Sequence, residues 1–449
     1  MVVRGRPLVL ALLTLLRLWS AMSVVDLEIA SLAAGGDGVG RDANGRVTFV
    51  PRSAPGDRVR VKLVAEKSSF ARGELLEVVE PSPLRLEPAC AAFARGCGGC
   101  QWLHVTRAAQ LDAKQVIVTS ALRKWGGAIV ERIADPGPEL RWRRRARFHS
   151  RNGQLGLYAA RTRTVVPLSH CPQLDPALEA VLSLFTQPGE RSAIGRAPES
   201  EVPHRKPGHG AGMQRQTPGG IQLPDGEVAL VVGARGDVAV GLDRPWNQAA
   251  SLVGQRGIVG VQVKSGGSFG DPIVEIEPGL WGGPWDFAQA SAGGNAALVD
   301  LVRTALGPGP GVVLELYAGA GNFTRAFAAD GWTVYPSDVA APSRAITNFI
   351  VGTAEHVVAG FAACDAIVLD PPREGAAAAI AGMVKCAPTT IVYVSCDPNT
   401  LARDVEKLVE AGYRVDRVWP IDLMPQTAHV EVVVRLVKSL LTPHQTAET

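Results

Sequence analysis

The chain reads as an α/β protein: a doubly wound, Rossmann-like C-terminal domain, an N-terminal OB-type β-barrel and a central α+β region. Three observations predict this. From about residue 286 onward, short apolar runs alternate with helical patterns, as in a parallel sheet with crossover helices. The first of these runs leads into a glycine loop and then a helix. Far upstream, several short strands fall within about sixty residues, the spacing of a small barrel. The boundaries expected are a leader at 1–23, the barrel at 24–83, the central region at 84–285, the doubly wound domain at 286–437 and a tail at 438–449.

The barrel strands are justified by their alternation. Val24 to Ser31 puts Val25, Leu27 and Ile29 on one face. Gly35, Gly36, Gly38 and Gly40 then supply permissive backbone. Val47 to Val50 is a second short strand. Arg58 to Leu63 alternates strictly and sets Arg58, Arg60 and Lys62 on one face, which suits either a solvated strand or a nucleic-acid platform. Leu75 to Val79 ends at Pro81 and Pro83.

In the central region, Arg141 to Arg147 is a basic run, and Gln187 to Pro224 is rich in proline, glycine and charge and reads as a loop. Val228–Val232 and Ile258–Val263 look like sheet strands. In the C-terminal part, Ala288 to Leu306 reads as a helix. Strands are expected at Val312–Leu316, Thr333–Tyr335, Ala366–Leu369, Thr390–Val394 and Val430–Val434, the last antiparallel, with helices at Thr324–Ala329 and Thr400–Ala411.

Bulk properties narrow the function. The 449 residues suggest two to four domains, and 46% hydrophobic content is ordinary for a globular protein. A formal charge of +3 excludes a broadly polycationic chain, so any nucleic-acid contact comes from local patches. Seven scattered cysteines argue against a secreted disulfide scaffold. Arg4 and Arg6 followed by the apolar Pro7–Leu16 resemble a signal peptide, too short for a good membrane span. Because Met22 directly precedes the first strand, an upstream extension is the preferred reading, with the protein cytoplasmic, away from membranes and monomeric.

The glycine loop is Tyr317-Ala318-Gly319-Ala320-Gly321-Asn322, with Glu315 before it and Asp338 closing the next strand. An acid at Asp338 can accept hydrogen bonds from ribose hydroxyls. Thr324 stands where a third glycine would be needed, so a dinucleotide pyrophosphate fits poorly and S-adenosylmethionine fits better. A tight strand–helix turn in any α/β protein would also carry such glycines.

Asp370-Pro371-Pro372-Arg373-Glu374-Gly375 holds an acid at the carboxyl edge of the sheet. Methyltransferases acting on base amines carry an aromatic residue where Arg373 stands, which argues against amine chemistry. Cys396 follows the strand Thr390–Val394, in the crevice where such sheets place their chemistry. A thiolate there could add to C6 of a pyrimidine and make C5 nucleophilic. A base must then remove the C5 proton. Glu431 is the base expected and His429 its rival; Cys364 and Cys386 read as packing residues. Cys90, Cys97 and Cys100, with Cys171 downstream, supply four thiols, and Gly96, Gly98 and Gly99 let the chain wrap tightly. Zinc and iron–sulfur clusters both accept such a set; without a second C-x2-C half, a [4Fe–4S] cluster is favoured.

The segments Glu315–Asn322, Asp370–Gly375, Ser395–Asp404 and Met424–Glu431 resemble those of the RNA uracil-5-methyltransferases. The iron–sulfur branch acting on 23S ribosomal RNA is most similar, over about residues 24–437. The resemblance implies a TRAM barrel of OB type, a central RNA-binding region carrying a structural [4Fe–4S] cluster, and a class I methyltransferase domain. It implies Cys90, Cys97, Cys100 and Cys171 as cluster ligands. Gln289, Tyr317, Asn322, Asp338 and Asp370, with Gly319 and Gly321, fall on positions that hold S-adenosylmethionine, Cys396 on the nucleophile and Glu431 on the base. Ser291 and Ala318 depart from common family residues, away from the proposed chemistry. RNA would be held by Arg141–Arg147 and Arg58/Arg60/Lys62, with Trp142 and Phe148 as candidates for stacking, a core role being the stronger expectation for at least one of them. A transfer-RNA substrate and a non-catalytic RNA-binding role are the alternatives.

Overall fold

The computed structural model describes residues 24–125, 128–185 and 221–439. The leader, most of the 187–224 segment and the end of the tail lie outside the described residues, and with them the readings made for those stretches. The chain divides into two compact units, one from Met1–Pro88, Cys100–Glu139 and Ala288–Thr449, the other from Ala89–Gly99 and Leu140–Phe287. Residues 100–139, grouped by sequence with the central region, therefore belong to the first unit. The reason is packing: Val118 and Leu122, at the end of helix Arg107–Ala121, join the apolar core of the doubly wound sheet.

The first unit opens with a closed barrel of five strands: β1 (Val24–Leu32), β2 (Gly38–Arg41), β3 (Val47–Val50), β4 (Arg58–Glu66) and β5 (Phe70–Glu80), in the order β1-β2-β3-β5-β4. Alternation sends Leu27, Ile29, Val59, Val61 and Leu63 inward. Closure between β1 and β4 removes the open edge. Two of the three outward cations of β4 are already partnered. Arg58 pairs with Glu80 at 2.6 Å, and Arg60 with Asp26 at 3.0 Å and Glu77 at 2.9 Å. This is a solvated, ion-paired face, and of the three cations expected to meet phosphates, two face carboxylates.

The doubly wound sheet of the same unit has eight strands in the order Ile350–Val351, Trp332–Asp338, Gly311–Leu316, Ala366–Leu369, Thr390–Ser395, Glu431–Lys438, Tyr413–Ile421 and Ile129–Val130. Neighbours from Ile350–Val351 to Thr390–Ser395 are parallel; Glu431–Lys438 is antiparallel to both of its neighbours. The central strands are mostly apolar because both their faces are covered. Ile367, Leu369, Ile391 and Tyr393 pack with helices Ala354–Gly360, Ile380–Cys386 and Pro398–Glu410, whereas Ala366, Val368, Val392 and Val394 pack with Ala292–Leu306 and Thr324–Ala329. Cys386 and Cys364 lie in the first of these layers, as packing residues with sulfurs 3.0 Å apart. Tyr413–Ile421 and the short Ile129–Val130 are strands that the sequence reading missed.

The second unit is built on a seven-stranded sheet in the order Gly267–Gly270, Ile258–Val263, Val238–Leu242, Gly226–Val232, Arg145–Arg151, Gln154–Tyr158 and Val165–Pro167. Most of the Arg141–Arg147 run is engaged within this unit. Arg144 is buried on Glu277 at 2.6 Å, Arg145 donates to the Pro284 carbonyl, and Arg143 stacks on Trp142 at 4.8 Å. Trp142 is buried, its indole N–H on Gln173 Oε1 at 2.6 Å, and Phe148 is fully buried. Both are core residues, so the core role expected for at least one of them holds for both and neither is free to stack on a base. Arg147, in strand Arg145–Arg151, is exposed, lies over the Trp285 ring and pairs with Glu227 at 3.4 Å.

Candidate active site

The glycine loop leaves the carboxyl end of strand Gly311–Leu316, where parallel neighbours on both sides fix its direction. Tyr317 (φ +61°), Gly319 (φ +55°) and Gly321 (φ +83°) adopt left-handed backbone. For tyrosine that conformation is costly and marks a constrained turn. A Cβ built on Gly321 would meet Ile346 at 2.6 Å, whereas one on Gly319 would meet nothing within 4 Å, so the loop is tight on one side and open on the other. Thr324, in place of a third glycine, donates its hydroxyl to Glu315 Oε2 at 2.6 Å. Burial pushes the Glu315 carboxyl up to about 8, against that bond and the Phe323 amide.

Asp338 closes the next strand and accepts from Gly319 N at 2.9 Å and Val339 N at 2.7 Å, with its carboxylate still half-exposed. Asn322 exchanges two amide bonds, 2.8 and 2.9 Å, with Asn295 on helix Ala292–Leu306, a partner that sequence reasoning missed. That helix is capped by Ser291, whose Oγ accepts from Gly294 N, and the half-buried Gln289 leads into it. An open glycine loop, a ribose-competent carboxylate and no phosphate-binding third glycine fit S-adenosylmethionine. Gln289, Tyr317, Gly319, Gly321, Asn322, Asp338 and Asp370 are the residues that would hold it.

Cys396 lies at the turn between strand Thr390–Ser395 and helix Pro398–Glu410. Asp397 caps this helix, accepting from Asn399 N and Thr400 N at 2.9 and 3.0 Å, a bond pair worth about 1 kcal/mol. The strand pairs antiparallel with Glu431–Lys438, and Ser395 faces Val432. Cys396 follows the last paired residue of its strand and Glu431 precedes Val432 in the other, and the two are near enough for the Glu431 carboxylate to oppose ionisation of the thiol. Glu431 is 4% exposed. Burial, then the Asp370 carboxylate, hold its pKa well above the usual range, with Arg373 pulling the other way. Burial likewise raises Asp370 to about 7. Burial pushes the Cys396 thiol up to about 11, Glu431 adds to this, and Arg373 favours the thiolate.

Beside the thiol is a cavity of about 300 Å³, lined by Cys396, Asn399, Arg373, His429, Gln101 and Gly35 among others. Arg373 donates to His429 Nε2 at 3.2 Å, which engages the nitrogen a base would use and favours Glu431 over its rival. The Asp370–Gly375 loop is clipped to the Cys396 helix. Buried Asp404 accepts from Ala376 N and the Tyr393 hydroxyl, each at 2.8 Å, and Arg403 donates to the Glu374 carbonyl at 2.7 Å. A Cβ on Gly375 (φ +79°) would meet Asp404 at 2.4 Å, so only glycine fits there. The sequence reading assigned no role to this clip.

The candidate metal ligands divide between the units, with Cys90, Cys97 and Cys171 in the second and Cys100 in the first. Burial raises the Cys171 thiol to about 11, and the neighbouring Cys90 and Cys97 sulfurs oppose its ionisation further. No cysteine is in a disulfide. Among the described residues, no group of three or more His, Cys, Asp or Glu side chains is arranged to hold a metal ion, and no helix is long and apolar enough to cross a membrane.

A glycine loop on a doubly wound sheet, with a cysteine and a buried carboxylate at the same sheet edge, fits a class I methyltransferase. Residues 354–439 match the family described as tRNA (Uracil-5-)-methyltransferase, and residues 22–76 match the TRAM domain. The chain is 31% identical to an uncharacterized RNA methyltransferase of Thermosynechococcus vestitus, over 94% of this chain and 99% of that one. It is 31% identical to the 23S rRNA (uracil(1939)-C(5))-methyltransferase of Chromohalobacter salexigens, over 92% and 89%. The fold is shared with the tRNA (uracil-54, C5)-methyltransferase of Pyrococcus abyssi, with a TM-score of 0.65 and 20% identity over 92% of this chain and 99% of that one. The chain belongs to the RNA uracil-5-methyltransferase family.

Proposed function

We propose that this protein methylates C5 of a uridine in 23S ribosomal RNA, in the cytoplasm, with Cys396 as nucleophile and Glu431 as base. The observation that supports this reading is the pairing of Ser395 with Val432, which leaves Cys396, at the cavity, near the buried Glu431 carboxylate. Cys396 gives up its proton to solvent and its sulfur bonds to C6 of the uracil. The C5=C6 electron pair shifts toward the C4 carbonyl, and C5 becomes electron-rich. S-adenosylmethionine, when bound, supplies the electrophilic methyl group that C5 takes. Glu431 as carboxylate then removes the C5 proton, the C5=C6 bond reforms, and the pair in the S–C6 bond returns to Cys396. Arg373 favours both anions, thiolate and carboxylate. The target base must be unpaired or flipped out for its C6 to reach the thiol.

The test is to map 5-methyluridine in RNA from cells with and without the gene for this chain. Loss of one site in 23S rRNA is the expected result. Loss from transfer RNA alone would move the substrate to the one named by the matched family and by the structural relative.

The family resemblance implies Cys90, Cys97, Cys100 and Cys171 as ligands of a structural [4Fe–4S] cluster; in the second unit, Cys90, Cys97 and Cys171 would supply three of the thiols. An all-thiol donor set suits it, as does the proximity of Cys171 to Cys90 and Cys97. Protein purified without oxygen should be brown, with about four irons per chain. Stoichiometric zinc and no colour would overturn this.

A further inference from the structure

We propose that Gln110 and Lys114 are positioning residues for the general base: from helix Arg107–Ala121 they fix the Asp422–Val430 loop, and through it the Glu431 carboxylate near the nucleophile. This rests on the reading of Glu431 as base. The loop leaves strand Tyr413–Ile421 and enters strand Glu431–Lys438, so its shape decides where Glu431 begins. Its last residues, Ala428, His429 and Val430, line the cavity beside Cys396.

The loop is held in a strained form. Gln426 has φ +66°, a conformation that a non-glycine keeps only where its surroundings over-determine it. Those surroundings are residues 101–114. The Gln110 carboxamide donates to Gln426 Oε1 at 2.8 Å and accepts from Gln426 N at 3.0 Å. Its nitrogen also meets the Val105 and Trp102 carbonyls at 2.8 and 3.1 Å, which fixes the orientation of the amide. The Gln426 carbonyl in turn accepts from Gln101 N and Trp102 N. One helical turn on, Lys114 Nζ donates to Asp422 Oδ1 at 2.6 Å and to the Met424 carbonyl at 3.1 Å, and lies 5.8 Å from the centre of the Trp102 ring. Asp422 also takes Arg107 and the Met424 amide.

Gln110 and Lys114 are fully buried; Asp422 and Gln426 are 2% and 5% exposed. Buried polar and charged groups are tolerated only when paired, so this network admits few loop geometries. Neither Gln110 nor Lys114 lines the cavity, and neither touches Cys396 or Glu431 through a bond given above. Their influence on the reaction passes through the loop.

The test separates positioning from general damage by asking which step slows. Full-length Gln110→Ala, Lys114→Met and Glu431→Gln proteins are given substrate RNA and S-adenosylmethionine, and the SDS-stable protein–RNA adduct is measured beside turnover. Loosening the base should slow elimination but not addition. Gln110→Ala and Lys114→Met should therefore lose on the order of 10–100-fold in turnover, as for a catalytic group displaced by about an ångström. They should also hold a larger adduct fraction than the wild type, with unchanged S-adenosylmethionine affinity. If adduct and turnover fall together in both, while Glu431→Gln accumulates adduct, the positioning proposal is overturned and the base reading stands. If Glu431→Gln itself forms no adduct, the base reading fails first. Should neither helix variant fold, the same ratio is read on Thr427→Val, which removes the hydroxyl bonded to Met424 O at 2.8 Å; an unchanged ratio there overturns the proposal.

Discussion

Cys396→Ala should abolish methyl transfer, by a factor on the order of 10⁴ or more, because in this mechanism the Cys396 sulfur is what makes C5 nucleophilic. The fold should survive the change. Cys396 is half-buried at a turn, and the Asp397 cap that starts the next helix does not use the thiol. Removing one sulfur at such a place costs about 1 kcal/mol or less. S-adenosylmethionine should bind as before, since the glycine loop and Asp338 belong to strands Gly311–Leu316 and Trp332–Asp338, and Gly319–Asp338 bonding is untouched. Calorimetry with the methyl donor, filter binding with RNA and transfer of labelled methyl groups measure the three quantities separately. Intact binding with no transfer is the expected pattern. Transfer at the wild-type rate would remove the covalent mechanism.

Glu431→Gln should lower turnover by about 10²–10⁴-fold, the usual worth of a positioned base, and should retain the enzyme as a methylated covalent adduct. Addition needs only the thiolate; release needs the proton on C5 to leave. The same substitution has a signature in stability. Burial and Asp370 raise the Glu431 pKa in the folded chain well above 4.5. The native state then binds more protons than the unfolded chain between those two values. The contribution from this group is fully present below about pH 4.5 and is lost as pH rises through the folded value. Glutamine carries no such proton. The melting temperature of Glu431→Gln relative to wild type should therefore climb with pH across that window, and a pH-independent difference would contradict the assignment of a raised pKa.

What was legible in the sequence was local. Gly319 and Gly321 announce a turn because their backbone must be left-handed, and Cys396 announces itself by following an apolar strand. Strict alternation in Arg58–Leu63 gave the inward and outward faces of a barrel strand correctly. Its charge partners were not legible, because Asp26 and Glu77 come from neighbouring strands whose register no single segment carries. The core role of Phe148, one of two residues between which the sequence reading did not choose, was legible. Phe148 is in phase with the buried Ala146 and Ser150, so period-two reasoning places it inside. Gln110 and Gln426 are 316 residues apart, and the Asn295–Asn322 pair joins a helix to a loop. Contacts of that range depend on tertiary packing and leave no periodic trace. Ile129–Val130 joins the sheet through two residues, too few for a strand signal.

The central claim is a transient bond between the Cys396 sulfur and a pyrimidine ring, and RNA carrying 5-fluorouridine tests it most directly. Fluorine at C5 cannot leave as a proton, so addition and methyl transfer proceed and elimination stops. With S-adenosylmethionine present, the account predicts a denaturation-resistant protein–RNA adduct that peptide mapping assigns to Cys396 and that Cys396→Ala does not form. Tight binding of that RNA and of the methyl donor with no adduct, or an adduct at another residue, would contradict it.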